Sequence, residues 1–150
     1  MIHIRLGKQS DIPQLVMLYR NFYITTDYAQ VYDMCDETVS TLTATLIDSG
    51  VLIVAEDDGV IVASAGCYVG PALFNSSIIT SHEVVLYVDP KYRTRHIGQQ
   101  LQEAIDKRAS ELGAVSNQMV RLSNSPEAAE ILYKMNGYHP TEWVFTKRLV

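Results

Sequence analysis

Lys91, Arg93, Arg95 and His96 place four cationic side chains within six residues, in a chain of formal net charge −5. They follow an apolar run, Val84-Val85-Leu86-Tyr87-Val88, which Pro90 must end because proline has no N–H for a ladder. Behind them Ile97, Leu101, Ala104, Ile105, Ala109 and Leu112 recur at three- and four-residue steps, one face of a helix over 98–112. The free N–H groups of a first helical turn carry partial positive charge and bind phosphate oxygens. Strand, basic turn and helix start therefore suit a polyanion, although a solvated basic turn has the same residues. Glu83 heads the apolar run, and burial among Val84, Val85 and Leu86 would raise its pKa, as a base for neutral pH requires.

The remaining chain must position that stretch. Ile2 to Leu6 alternates as a strand, and Ser10-Asp11-Ile12-Pro13 reads as a helix start with Ser10 as N-cap. Ile12, Leu15, Val16, Leu18, Tyr19 and Phe22 give that helix its buried face. From Thr25 to Glu37 the periodicity fails, and Asp27, Tyr28, Tyr32, Asp33, Asp36 and Glu37 form an acidic, aromatic segment without a base. It fits a rim that draws in a cationic amine, or a polar connection in which Asp36 caps the next helix. That helix spans about Asp36 to Ser49 and closes at Gly50. Val51 to Ala55 is a strand, Glu56-Asp57-Asp58-Gly59 a hairpin turn, and Val60 to Val69 the next strand. Gly70-Pro71 is expected to break it, with a loop over 72–80. Further on come a short strand over Met119 to Leu122, a helix opening at Pro126 and ending at Asn136-Gly137, and a closing strand from Glu142 to Arg148.

The 150 residues suit one domain, 1–150, with a mixed, mostly antiparallel sheet and helices on both faces. An acidic pI near 5.3 argues against general nucleic-acid binding. No apolar run is long enough for a membrane span and no signal-peptide core leads the chain, so the expectation is a cytoplasmic protein. Cys35 and Cys67 form no CxxC or Cys/His cluster, and the four histidines lack ligand spacing, so no metal is expected.

Arg93-Thr94-Arg95-His96-Ile97-Gly98 resembles the Gln/Arg-x-x-Gly-x-Gly/Ala turn of the GNAT family of N-acetyltransferases, matching at Arg93 and Gly98 and departing at His96. A second stretch, Ala129-Glu130-Ile131-Leu132-Tyr133-Lys134-Met135-Asn136-Gly137-Tyr138, resembles the family's Ala-x-x-Leu/Phe-Tyr-x-x-x-Gly-Phe/Tyr element, and the order of elements matches too. The resemblance implies the acyl-CoA N-acyltransferase fold, acetyl-CoA as acetyl donor and an amine acceptor, small molecule or peptide, in a direct ternary complex. It implies that the backbone of Leu86, Tyr87 and Val88 meets the pantetheine arm. Arg93, Thr94, Arg95, His96, Ile97 and Gly98 would meet the pyrophosphate. By the same resemblance Tyr133 is the acid beside the departing sulfur and Glu83 the base, with His82 its rival. A histidine fits at position 96 if its φ is negative. Pro126 replaces a frequent family asparagine, for which Asn124 is the substitute. Members often pair through C-terminal strands, where this chain has Trp143 and Phe145, so a homodimer is expected. The departures at His96 and Pro126 leave one alternative, a CoA-binding or interaction domain of the same fold without catalysis.

Overall fold

Val51-Leu52-Ile53-Val54-Ala55 is apolar at every position, as befits a strand covered on both faces. In the computed structural model, which describes residues 1–150, β2 (Val51–Asp57) turns Val51, Ile53 and Ala55 into one core and Leu52 and Val54 into another. Around it lie β1 (Ile2–Leu6), β3 (Val60–Ala72), β4 (Asn75–Val88) and β5 (Ala114–Gln118). They form one sheet in sequence order, antiparallel from β1 to β4 and parallel between β4 and β5. The parallel pair needs a crossover, and α3 (Ile97–Glu111) supplies it.

On one face α3 buries Ile97, Leu101 and Ile105 against Ala63, Ala65 and Cys67 of β3. On the other, α1 (Ile12–Tyr23) and α2 (Asp36–Ser49) bring Leu15, Leu18, Tyr19 and Leu46 onto Leu52, Val54, Val85 and Tyr87. Each buried Leu or Ile stabilises the fold by about 1.5–3 kcal/mol of transfer free energy. The final helix, α4 (Glu127–Met135), buries Tyr133. No helix is long and apolar enough to cross a membrane.

Two glycines are required by geometry. Gly59 (φ 85), with Asp58 (φ 48), makes the two-residue β2–β3 turn that matches strand twist. At Gly50 a Cβ would lie 2.5 Å from the Cys67 carbonyl oxygen, so the end of α2 packs directly on β3 backbone.

Several expected boundaries are corrected. Gly70-Pro71 does not break β3, which runs to Ala72 and pairs with a β4 that already begins at Asn75. β2 leaves β3 at the Val51–Cys67 pair, so from Tyr68 onward β3 has a free edge. A proline costs no ladder bond there. Leu73 and Phe74 stand at the hairpin tip. The first helix is capped by Asp11 rather than Ser10, and the second by Cys35. Asp36 instead pairs with Arg20. Residues 142–148 form no strand, and Trp143 and Phe145 are 83% and 94% exposed. The fifth strand is Ala114–Gln118, not Met119–Leu122.

Candidate active site

That last difference builds the site. β4 and β5 pair at Ile79, Ser81 and His82 and then part. Val120, which a longer strand would have paired to β4, is held by side chains instead. Its N–H donates to Glu83 Oε2 at 2.7 Å, and its carbonyl accepts from the Tyr133 hydroxyl at 2.9 Å. The Tyr133 hydroxyl also lies 3.4 Å from Glu83 Oε2. Opposite this gap the β3–β4 register slips between Gly66–Val85 and Cys67–Glu83, so Val84 is an extra residue on β4. Such a bulge bends a strand away from its neighbour. Beyond His82, β4 pairs only with β3 and leaves an unladdered edge over Val84–Val88.

Burial pushes the Glu83 carboxyl up to about 7, against the Val120 and Tyr133 bonds that favour its charged form. Burial, and after it the neighbouring Glu83 carboxylate, drive the Tyr133 phenol well above its ordinary value. At neutral pH the pair therefore consists of a carboxyl near its midpoint and a firmly protonated phenol. One can take a proton and the other can donate a hydrogen bond.

The strand end continues into the basic turn. Leu86 and Val88 pack on the α3 core, while Tyr87 is buried on the opposite face with Phe22 5.4 Å away. Residues Pro90–Arg95 form a 3-10 turn, capped by the Asp89 carboxylate accepting from Lys91 N–H. The cations of the turn do not converge. Arg93 donates from Nε to the Val88 carbonyl at 3.1 Å, and Arg95 turns toward Asp57 at 3.7 Å. Thr94 is exposed between them.

His96 adopts φ 56, the left-handed conformation, so the condition of negative φ under which a histidine fits there without cost is not met. Backbone in that region costs a non-glycine residue of order 1–3 kcal/mol. The chain thus keeps the conformation that glycine favours without using glycine. The His96 N–H donates to no backbone carbonyl, and the first helical bond of α3 runs from Gln100 N–H to the His96 carbonyl at 3.2 Å. Amide groups before that bond point out of the helix start. A Cβ at Gly98 would meet only Leu132 Cδ2, at 3.4 Å.

His82 does not join Glu83 and Tyr133. It is exposed, with Nδ1 2.7 Å from Gln118 Oε1 and Nε2 3.2 Å from Thr80 Oγ1. Asn124 lies ahead of α4, which Pro126 caps without a side-chain bond, and its amide donates to the Thr25 carbonyl. With Ser123 Oγ 3.3 Å from Asp27 Oδ2, this tie brings the acidic, aromatic segment against the loop that carries Val120. There Tyr28 and Tyr32 stack with centroids 6.1 Å apart, both exposed. Sequence reasoning missed Val120, whose contribution is backbone and leaves no mark in residue type. It also missed Asp106 and Asn117, described below.

A five-stranded sheet that parts between its last two strands, beside a helix opening from a tight turn, is the acyl-CoA N-acyltransferase fold. The chain belongs to the GNAT family: residues 48–140, more than half of it, match the model of the acetyltransferase (GNAT) domain. No curated protein matches the sequence. Among solved structures, a Trypanosoma brucei acetyltransferase superposes with a TM-score of 0.75 at 19% identity, covering 99% of this chain and 100% of its own. A predicted acetyltransferase from Clostridium acetobutylicum, solved with acetyl-CoA, gives 0.76 at 19% identity, covering 98% and 96%. Glucosamine-6-phosphate N-acetyltransferase from Arabidopsis thaliana gives 0.75 at 15% identity, covering 100% and 99%. At these identities the likeness is one of fold.

Proposed function

We propose that this chain transfers the acetyl group of acetyl-CoA to a primary amine in a direct ternary complex. The observation that carries the reading is the Glu83–Tyr133 pair at the point where β5 leaves β4. The free β4 edge offers backbone groups to an extended arm, and the amides at His96 and the start of α3 suit a pyrophosphate. These residues fit acetyl-CoA, which would bring an activated acyl carbonyl and a thiolate leaving group.

An alkylammonium of pKa about 10.4 is only a few parts in ten thousand neutral at pH 7, a penalty of roughly 4–5 kcal/mol. Glu83 takes the amine proton, directly or through water, at a pKa better matched to the task than an unshifted carboxyl. The amine nitrogen then bonds to the acyl carbon as the carbon–sulfur bond breaks. Tyr133 turns its hydroxyl from Val120 to the sulfur and stabilises the developing charge by a hydrogen bond. Complete proton transfer is uphill even for an ordinary phenol (about 10) facing a thiolate (about 8.5), and more so for this one. The acidic, aromatic segment around Asp27, Tyr28, Tyr32 and Asp33 favours a cationic acceptor.

Acetyl-CoA is expected to raise the melting temperature, since a ligand at 100 times its Kd adds about 2.7 kcal/mol to the native state. That corresponds to roughly 5–10 °C in a chain of this size. Gly98→Val places methyl groups against Leu132 and beside the helix start, and should remove most of the shift while the unliganded protein melts near the parent temperature. An undiminished shift in Gly98→Val would mean that the phosphates bind elsewhere. The rival, a binding domain without catalysis, draws support from His96 in its costly conformation. It predicts the thermal shift without thiol release from acetyl-CoA and an amine. The reading includes a cytoplasmic location and a homodimer that covers Trp143 and Phe145. Sedimentation at micromolar concentration should give twice the chain mass, and Trp143→Ser/Phe145→Ser should reduce it to one; a monomeric parent removes the dimer from the reading.

A further inference from the structure

Beneath the Glu83–Tyr133 pair lies a second group of polar side chains that the transfer step does not use. Tyr138 follows α4, and its N–H closes that helix on the Tyr133 carbonyl at 3.0 Å. Its ring lies 5.9 Å from the Tyr133 ring. The Tyr138 hydroxyl donates to Asp106 Oδ1 on α3 and accepts from Asn117 Nδ2 of β5 at 2.8 Å and from Gln102 Nε2 of α3 at 2.9 Å. One donor and two acceptors use all that a phenol has. Asn117 Nδ2 also donates to Asp106 Oδ1 at 2.9 Å, and Asn117 is the residue whose backbone pairs with Ser81 just before the strands part. A single oxygen thus joins α3, β5 and the end of α4.

We propose that Tyr138, Asp106 and Asn117 are positioning residues that set where β5 leaves β4 and hold Tyr133 against Glu83. A phenylalanine at 138 would pack the same ring, so packing alone does not call for the hydroxyl. Its removal takes one acceptor each from Asn117 and Gln102 and leaves both amides to share Asp106 Oδ1 in a part-buried place, where a lost partner favours letting the elements move apart. The buried Gln102 Oε1 already lacks a donor, so the region holds one unsatisfied polar atom before any hydroxyl is removed.

Cys67 provides a reporter that does not depend on activity. It is wholly buried, pairs with Glu83 in the β3–β4 register, and is covered by Asn117, whose Oδ1 lies 3.8 Å from Sγ. Cys35 is exposed, so a Cys35→Ser background leaves Cys67 as the sole thiol. In that background Tyr138→Phe should speed iodoacetamide labelling of Cys67 by about tenfold or more, and Asp106→Ala, which removes the oxygen that accepts from Tyr138, Asn117 and Gln102, should do the same. Turnover should fall about tenfold in Tyr138→Phe with the acetyl-CoA dissociation constant unchanged within twofold.

The kinetic arm rests on the proposed role of Tyr133. If so, adding Tyr138→Phe to Tyr133→Phe should cost less than a further twofold, because neighbours acting through one group are not additive. Losses that multiply would show that Tyr138 does not act through Tyr133 and would overturn the proposal. Labelling as slow as in the parent for both variants would overturn it as well. Should Tyr133→Phe alone leave turnover intact, the chemical reading of Tyr133 fails and the labelling rates alone decide whether the network holds the strands.

Discussion

Glu83→Gln is expected to lower turnover by about 10²–10⁴, the usual worth of a positioned general base. Glutamine keeps the length of the side chain and can still accept from Val120 N–H, so the bend of β4 is retained and only the basic carboxylate is lost. The pH dependence identifies the cause. If Glu83 is the base, the active form in the parent is the carboxylate, and the rate should rise with pH through the Glu83 pKa of about 7. The variant loses that limb and gains rate only as the acceptor itself becomes neutral, so the defect shrinks in alkaline buffer. Stability gives a second sign. Between about 4.5 and about 7 the folded chain holds a proton that the unfolded chain has released, so this group makes stability fall as pH rises across the window. Glu83→Gln should flatten that fall, read as melting temperature against pH. A variant that is merely less stable, with the parent's pH–rate profile, would move the base to His82.

Tyr133→Phe should reduce turnover by about 10²–10³-fold while acetyl-CoA affinity changes little, the range of a single hydrogen bond to developing charge. The ring remains packed against Tyr138, and the lost partner is the hydroxyl that Val120 and Glu83 share. Removing the phenol also removes a bond that favours the Glu83 carboxylate. The acidic limb of the pH–rate curve should therefore move to higher pH in Tyr133→Phe. Stopped-flow measurement of the chemical step separates this from product release; equal rates there would make the hydroxyl structural.

Most of the frame is legible in the sequence because burial leaves a pattern. The unbroken run Val51–Ala55 states that helices cover both faces of the sheet. The four-residue steps from Ile97 through Ala109 state which face of α3 is inside. Glu83 beside valines likewise predicts a raised carboxyl pKa, and partial burial pushes it up to about 7. What is illegible depends on partners rather than on residue type. Pro71 signals a break only if a neighbouring strand needs its N–H, and no neighbour is there. Trp143 and Phe145 alternate as a strand would, yet alternation does not supply an edge to pair with. Val120 reads as strand by composition, but its two backbone groups are claimed by Glu83 and Tyr133, and this substitution of side chains for a ladder opens the sheet. His96 shows the same limit: its type argues for negative φ, while the turn into α3 imposes the opposite sign.

The central claim, amine acetylation run from Glu83 and Tyr133, is tested most directly by initial rates of thiol release from acetyl-CoA with and without a panel of primary amines. The parent and the Glu83→Gln/Tyr133→Phe double variant are compared at pH 7, with acetyl-CoA binding to both checked by thermal shift. The account predicts release that requires an amine in the parent and falls by at least about 10² in the double variant, while both proteins still bind acetyl-CoA. Release that persists in the double variant, or a parent that binds acetyl-CoA and yet releases no thiol with any amine, would contradict it.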